Sequence, residues 1–190
     1  QIAKWLWKNL LVEQRPLKTK NLWICGPTNH NKTTLLFYIE KMVICYRPCN
    51  ETAFLDELTD EAECLVFDEF RGQFPITFIN QLSDGSRIRV NQKGGTYVKR
   101  KNIPMIICSN YTPEEVYHRT YETKPEILHT LHSRFKVIEL SHPIKLYDSV
   151  DWQTVKVRFS NPLLKNEEQQ EKKGDTEDTV EQESEDTGSE

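Results

Sequence analysis

"NLWICGPTNHNKTT", residues 21–34, joins an apolar run to a Lys-Thr pair through a short polar turn. "NLWIC" reads as a buried strand, and "KTTLLFYIEKMV" after it reads as a helix. The residues between and just beyond, Gly26, Pro27, Thr28, Asn29, His30, Asn31, Lys32, Thr33 and Thr34, follow the phosphate-cradling pattern G-x-x-x-x-G-K-[ST] with one departure: Asn31 stands at the second glycine. In such a turn, backbone N–H groups and a helix N-terminus converge on phosphate oxygens. Lys32 would then neutralise the β- and γ-phosphates of ATP, and the Thr33 hydroxyl would hold Mg²⁺. Taken alone, the stretch is also readable as a plain strand–turn–helix carrying a surface lysine.

A second apolar run sharpens the choice. "ECLVFDEF" (63–70) reads as a buried strand that delivers two adjacent carboxylates, Asp68 and Glu69, at its end. Beside a bound triphosphate, Asp68 would hold the metal or its water shell, while Glu69 polarised the attacking water. The bland reading is a pair of solvated strand-end acids, but its coincidence with the Lys-Thr turn argues against it. "IPMIICSN" (103–110) is a third buried strand. It ends at Asn110, a neutral group suited to hydrogen-bond γ-phosphate or water, although a strand-ending Ser-Asn is also an ordinary turn. Arg134 in "HSRF" precedes a last strand, "FKVIEL". It reads either as a salt-bridged surface arginine or as an arginine finger offered to a neighbouring subunit.

Further elements surround these. "IAKWLWKNLLVE" (2–13) is a helix apolar on nearly all sides, expected to be covered by other chain or a neighbouring subunit. "PITFINQLSDG" reads as a short helix closed by a turn, and "PEEVY" and "PEILHTLHSRF" as short helices with Pro in the first turn. Buried strands alternating with helices predict an α/β fold with a mostly parallel sheet covered on both faces. "SRIRVNQKGGTYVKRK" (86–101) alternates on both sides of Gly94-Gly95 and predicts a hairpin with those glycines at its tip. Lys93, Lys99, Arg100 and Lys101 gather positive charge there, with Arg87 and Arg89 on the first arm. Such charge suits the phosphates of single-stranded DNA, though lysines on a hairpin also guard an edge against aggregation. Tyr97 is a stacking candidate whose more ordinary use is packing.

Charge divides the chain. The 190 residues carry a formal net charge of −4, but residues 165–190 hold 11 acidic residues against 3 lysines. The rest is therefore positive by about four charges, which leaves a nucleic-acid partner open. The acidic segment lacks the apolar residues to offset ordering and is expected to be disordered. Five cysteines include Cys45-x-x-x-Cys49 but no second pair at finger spacing, so no zinc site is expected. Cys25, Cys64 and Cys108 lie in apolar runs and read as small core residues of an intracellular protein. No run is long enough to span a bilayer, and no secretory signal is present.

The order and spacing of "GPTNHNKTT", "CLVFDEF", "VNQKGGTYVKRKNIP" and "MIICSN" resemble superfamily 3 helicases. They look most like the helicase domain of replication-initiator (Rep) proteins of circular single-stranded DNA viruses, circovirus-like ones especially, and related plasmids. The "KGGT" hairpin before a strand ending in Ser-Asn is the most specific element. The resemblance covers about residues 20–140 and implies a P-loop NTPase (AAA-like) three-layer sandwich. It further implies an ATP- and Mg²⁺-dependent, hexameric ring that translocates on DNA. It makes Lys32 and Thr33 the Walker A pair, Asp68 and Glu69 the Walker B pair, Asn110 the sensor, Lys93 and its neighbours the DNA hairpin, and Arg134 the finger. The chain is thus expected to comprise an N-terminal linker or oligomerisation helix (1–19), an ATPase domain (20–145), a poorly defined extension (146–164) and the acidic tail (165–190). Relatives of this kind carry a nicking endonuclease ahead of the helicase, with a His-x-His motif and a catalytic tyrosine. Neither can be assembled before residue 20, so no nicking is expected from this chain, and an endonuclease domain is expected upstream. For a virus of a eukaryote the location would be the host nucleus. Two alternatives stay open: a hydrolysis-impaired nucleotide- and DNA-binding oligomer, because Asn31 replaces glycine, and an RNA-virus helicase of the same superfamily.

Overall fold

In the computed structural model, which describes residues 1–10, 15–49 and 54–146, three apolar runs form the middle of one parallel sheet. The strands are β1 (Asn21–Cys25), β2 (Cys45–Tyr46), β3 (Cys64–Phe67), β6 (Met105–Ser109) and β7 (Phe135–Glu139), in the spatial order β2-β3-β6-β1-β7. Every neighbouring pair in this sheet is parallel. All residues of β1, β3 and β6 are buried, whereas the edge strands β2 and β7 are only partly so. That explains why the central strands read as unbroken apolar runs: helices cover both faces, and neither face needs polar residues. The fold is thus the α/β sandwich of a P-loop NTPase-like protein.

The helices are α1 (Ile2–Leu10), α2 (Lys32–Met42), α3 (Ile76–Ser83), α4 (Pro113–Val116), α5 (His118–Thr123) and α6 (Pro125–Arg134). One face of the sheet packs an aromatic cluster. Trp23 meets Phe70 and Phe135 edge-on at 5.5 and 6.0 Å, and Phe67 meets Phe74 at 5.6 Å. The indole N–H of Trp23 is satisfied by the Tyr111 carbonyl at 3.1 Å, as a buried tryptophan requires. Asn21 is buried at the start of β1 and ties three elements together. Its amide donates to the Ser83 carbonyl (3.0 Å) at the end of α3, and its oxygen accepts from the Met105 N–H (2.9 Å) that opens β6.

Helix α1 is described over Ile2–Leu10, and residues 11–13 of the expected helix lie outside the described residues. It buries Trp5, Leu6, Asn9 and Leu10, while Trp7 remains 43% exposed. Among the described residues of the helix, the buried positions lie on one face. The hairpin is β4 (Ile88–Gln92) and β5 (Gly95–Lys99), a separate two-stranded antiparallel sheet. Its tip differs from expectation by one residue: Gln92 pairs with Gly95, so the turn is Lys93-Gly94. Gly94 takes φ 82° and supplies the left-handed residue. Contacts divide the chain into Gln1–Val150 and Asp151–Glu190. The second unit, with the acidic tail and most of the expected extension, lies outside the described residues. No described helix is long and apolar enough to cross a membrane.

Candidate nucleotide site

Parallel pairing fixes where the predicted residues meet. Cys25 pairs with Ser109 and Phe67 with Ile107, so the chain leaves β1, β3 and β6 at the same edge of the sheet. Gly26, Asp68 and Asn110 follow those strands directly. The carboxyl ends of strands in open α/β sheets form ligand crevices.

At Gly26 the chain turns with φ 150°. A Cβ there would lie 2.9 Å from the Leu140 Cβ and 3.0 Å from the Leu140 carbonyl oxygen. Glycine is required because the extension of β7 crosses the loop base, where the Leu140 N–H donates to the Cys25 carbonyl at 2.7 Å. Thr28 and Asn29 are exposed at the tip, with Asn29 at φ 63°. The His30 ring nitrogen Nδ1 lies 3.1 Å from the Thr28 carbonyl.

Asn31 adopts φ 61°, ψ 24°, the left-handed region, and caps α2 by backbone position. Its carbonyl accepts from the Leu35 N–H (2.9 Å), but its side chain makes no capping bond. The amide donates instead to the Ile144 carbonyl at 3.0 Å, while the Ile144 N–H donates to His30 at 3.1 Å. The substituted position therefore meets the conformational demand for which glycine is used, and it ties the loop to the segment beyond β7. No sequence signal for that tie exists, because residues 31 and 144 share no pattern.

Lys32 is 9% exposed, and its ammonium donates to the Gly26 and Pro27 carbonyls, each at 2.7 Å. The lysine thus closes the loop beneath it. Thr33 and Thr34, in the first turn of α2, are exposed, and the Thr33 hydroxyl donates to Asp68 Oδ1 at 3.2 Å. Asp68 Oδ1 also accepts from the Glu69 N–H at 3.0 Å. Glu69 takes φ 47°, an uncommon value for glutamate. This turn leaves its carboxylate exposed and returns Phe70 to the core, where the Phe70 N–H donates to Cys108 at 2.9 Å. Asn110 is exposed at the same edge. Sequence reasoning missed Arg47, two residues into the site from Cys45: its Nη1 pairs with Asp68 Oδ2 at 3.2 Å and its Nη2 with Glu40 at 2.7 Å.

A hydroxyl and a carboxylate at one point suit a hard divalent cation such as Mg²⁺, which keeps water and phosphate oxygens as its other ligands. Among the described residues no group of three or more His, Cys, Asp or Glu assembles that could hold a metal. An ion at Thr33 and Asp68 would therefore draw on those other oxygens.

The remaining predicted residues lie elsewhere. Arg134 ends α6, just before Phe135, which pairs with Asn21 at the start of β1. It sits at the opposite edge of the sheet from Gly26, where it donates to the Asn80 carbonyl and pairs with Asp84 at 2.8 Å. On the hairpin, Lys93 is 74% exposed and 3.7 Å from Asp56, and Arg100 is exposed and 3.5 Å from Asp60. Lys101 donates to the Asp60 carbonyl. Lys99 departs from its expected surface role: it is fully buried, and its ammonium donates to the Lys101 carbonyl at 3.0 Å. Desolvation lowers its pKa to about 8, opposed in part by Asp84 and reinforced by Arg15. The strand alternation that turns Lys99 inward was present in the sequence, but charge alone had placed it outside. Tyr97 is half-buried and donates to Asp60 at 2.5 Å, a packing role.

No family model and no curated protein matches the chain. Among solved structures it is similar to a candidate primosome component from Streptococcus pyogenes serotype M3, at 11% identity and TM-score 0.46, over 76% of this chain and 81% of that one. It is also similar to the NrS-1 C-terminal region, residues 305–718, at 16% identity and TM-score 0.51. That match covers 84% of this chain but 39% of the other, so the chain spans about two fifths of that region. At this identity the likeness is one of fold.

Proposed function

We propose that the chain is the ATPase unit of a DNA helicase that acts in replication of a circular single-stranded DNA replicon. ATP and Mg²⁺ would bind at residues 26–34 and Asp68, and hydrolysis would take place between subunits of a ring. The carrying observation is the 3.2 Å contact between Thr33 and Asp68 beside a lysine-closed loop, at the carboxyl edge of a parallel sheet. Two residues 35 positions apart meet where a metal–phosphate complex would need both. Lys32 leaves two carbonyls to reach the phosphates, Thr33 and Asp68 hold the metal, and Glu69 orients the attacking water. Asn110 contacts the γ-phosphate or that water. Single-stranded DNA runs along the hairpin through Lys93, Arg100 and Lys101, and Arg134 serves a neighbour's ATP.

The test is phosphate release from ATP and Mg²⁺, with and without single-stranded DNA. Lys32→Ala should lower both nucleotide binding and turnover. Glu69→Gln should keep binding while lowering turnover roughly 10²-fold or more, the scale of a positioned general base. Turnover by Glu69→Gln at the parent rate would remove Glu69 from this role. An absence of turnover in the parent, with nucleotide binding retained, would favour the hydrolysis-impaired oligomer.

A further inference from the structure

Arg47 follows the edge strand β2, which pairs with β3, the strand that ends at Asp68. Its guanidinium is shared between two carboxylates. Nη1 lies 3.2 Å from Asp68 Oδ2, while Nη2 and Nε lie 2.7 and 3.3 Å from Glu40 Oε1 on α2. Asp68 Oδ1 is already engaged by the Thr33 hydroxyl and the Glu69 N–H. Both oxygens of a carboxylate only 13% exposed are thus taken, and one partner is a permanent cation.

We propose that Arg47 is a built-in counter-cation that competes with the divalent metal for Asp68 and sets how much metal the nucleotide site requires. The inference rests on reading Lys32, Thr33 and Asp68 as a metal–nucleotide site. Without metal, Arg47 neutralises Asp68 and holds it beside Thr33. A metal at Thr33 and Asp68 would compete with this guanidinium for the charge of one carboxylate, loosening its hold on Oδ2, and the arginine's charge opposes the metal's approach. Glu40 makes the loosening tolerable, because it keeps a partner on the guanidinium as its hold on Asp68 weakens. Glu40 and Asp68 therefore pull on one cation in opposite directions. Weakening Glu40 should tighten the hold of Arg47 on Asp68, and removing Arg47 should free Asp68 for metal.

The measurement is the Mg²⁺ concentration giving half-maximal binding of fluorescently labelled ADP, which reads binding without turnover. Arg47→Ala should lower it roughly three- to fivefold, the scale of a partly exposed ion pair. Arg47→Lys, which keeps the charge, should stay nearer the parent. Glu40→Gln should shift it the opposite way. In a double-mutant cycle that Glu40 effect should largely vanish once Arg47 is alanine, because it acts through Arg47. A merely structural role would not give opposite signs for two neighbouring variants. An unchanged or raised Mg²⁺ requirement in Arg47→Ala would overturn the proposal. So would a fall in its metal-free ADP affinity, which would make Arg47 a phosphate contact. If Arg47→Ala fails to fold, the raised requirement in Glu40→Gln carries the test, and no shift there refutes it. If parent ADP binding is absent or indifferent to Lys32→Ala, the metal–nucleotide reading itself fails. If binding is intact and Lys32-dependent but Arg47 moves nothing, only the counter-cation falls.

Discussion

At Asn31 a single backbone angle reconciles a departure from the phosphate-loop pattern with the loop's geometry. A β-branched side chain at φ 61° would be strained, whereas asparagine visits that region at modest cost and here gains a bond to Ile144. Asn31→Gly should therefore nearly balance: it relieves backbone strain and loses one exposed hydrogen bond. We expect unfolding free energy within about 1 kcal/mol of the parent by urea denaturation, and ATPase equal or faster. Clearly slower turnover with unchanged stability would show that the amide itself serves the site. Lys99 gives a second test. A fully buried lysine whose pKa falls to about 8 binds fewer protons folded than unfolded between there and its ordinary 10.5. Its penalty is complete below pH 8 and relieved as pH rises through that window. Lys99→Met should gain about 1–3 kcal/mol at pH 7, and its advantage over the parent should shrink by pH 9.5. An advantage that stays constant with pH would mean that Lys99 does not titrate there.

At the scale of elements, what the sequence made legible was what periodicity and termini encode. The runs 21–25, 64–67 and 105–109 announced themselves because strands buried on both faces need no polar alternation. The Lys-Thr turn and Asp68 were legible for the same reason, since each directly follows such a strand. Strand β2 escaped notice because two residues carry no period, and Arg47 escaped with it. Helix α5 was missed because it buries none of its residues. The hairpin was legible, but its charge was not, because Asp56 and Asp60 reach it from another segment. This redistributes the expected DNA contacts. Replacing Lys93 and Arg100 by Ala should weaken single-strand binding similarly for all sequences and flatten its salt dependence, since fewer counterions are released. Lys99→Met should leave both unchanged. Equal losses from Lys99→Met and the Lys93/Arg100 variant, at equal stability, would return Lys99 to the binding surface.

At the scale of the whole molecule, Arg134 and the loop 26–34 lie at opposite edges of the sheet, so a finger role for Arg134 would have to be exercised on another subunit. Its bonds to Asp84 and the Asn80 carbonyl also give it a local role, because they join α6 to the end of α3. Arg134→Ala therefore has two routes to inactivity, and stability must be measured beside turnover. Asp84→Asn supplies the control: it weakens the same join but leaves the guanidinium in place. If Arg134 acts as a finger, Arg134→Ala should bind ATP with parent affinity and lose turnover, whereas Asp84→Asn should retain it. The decisive arrangement mixes Arg134→Ala with Lys32→Ala subunits. Each should be inactive alone, one lacking the donor and the other the acceptor. In a mixed ring an intact loop can adjoin an intact arginine, and that interface should hydrolyse ATP, because a finger stabilises charge on the transferring phosphoryl group. Turnover should peak at intermediate mixing ratios and vanish at either extreme. If mixed oligomers form and turnover stays at zero across all ratios, Arg134 acts through its own α3–α6 join and not across a subunit boundary.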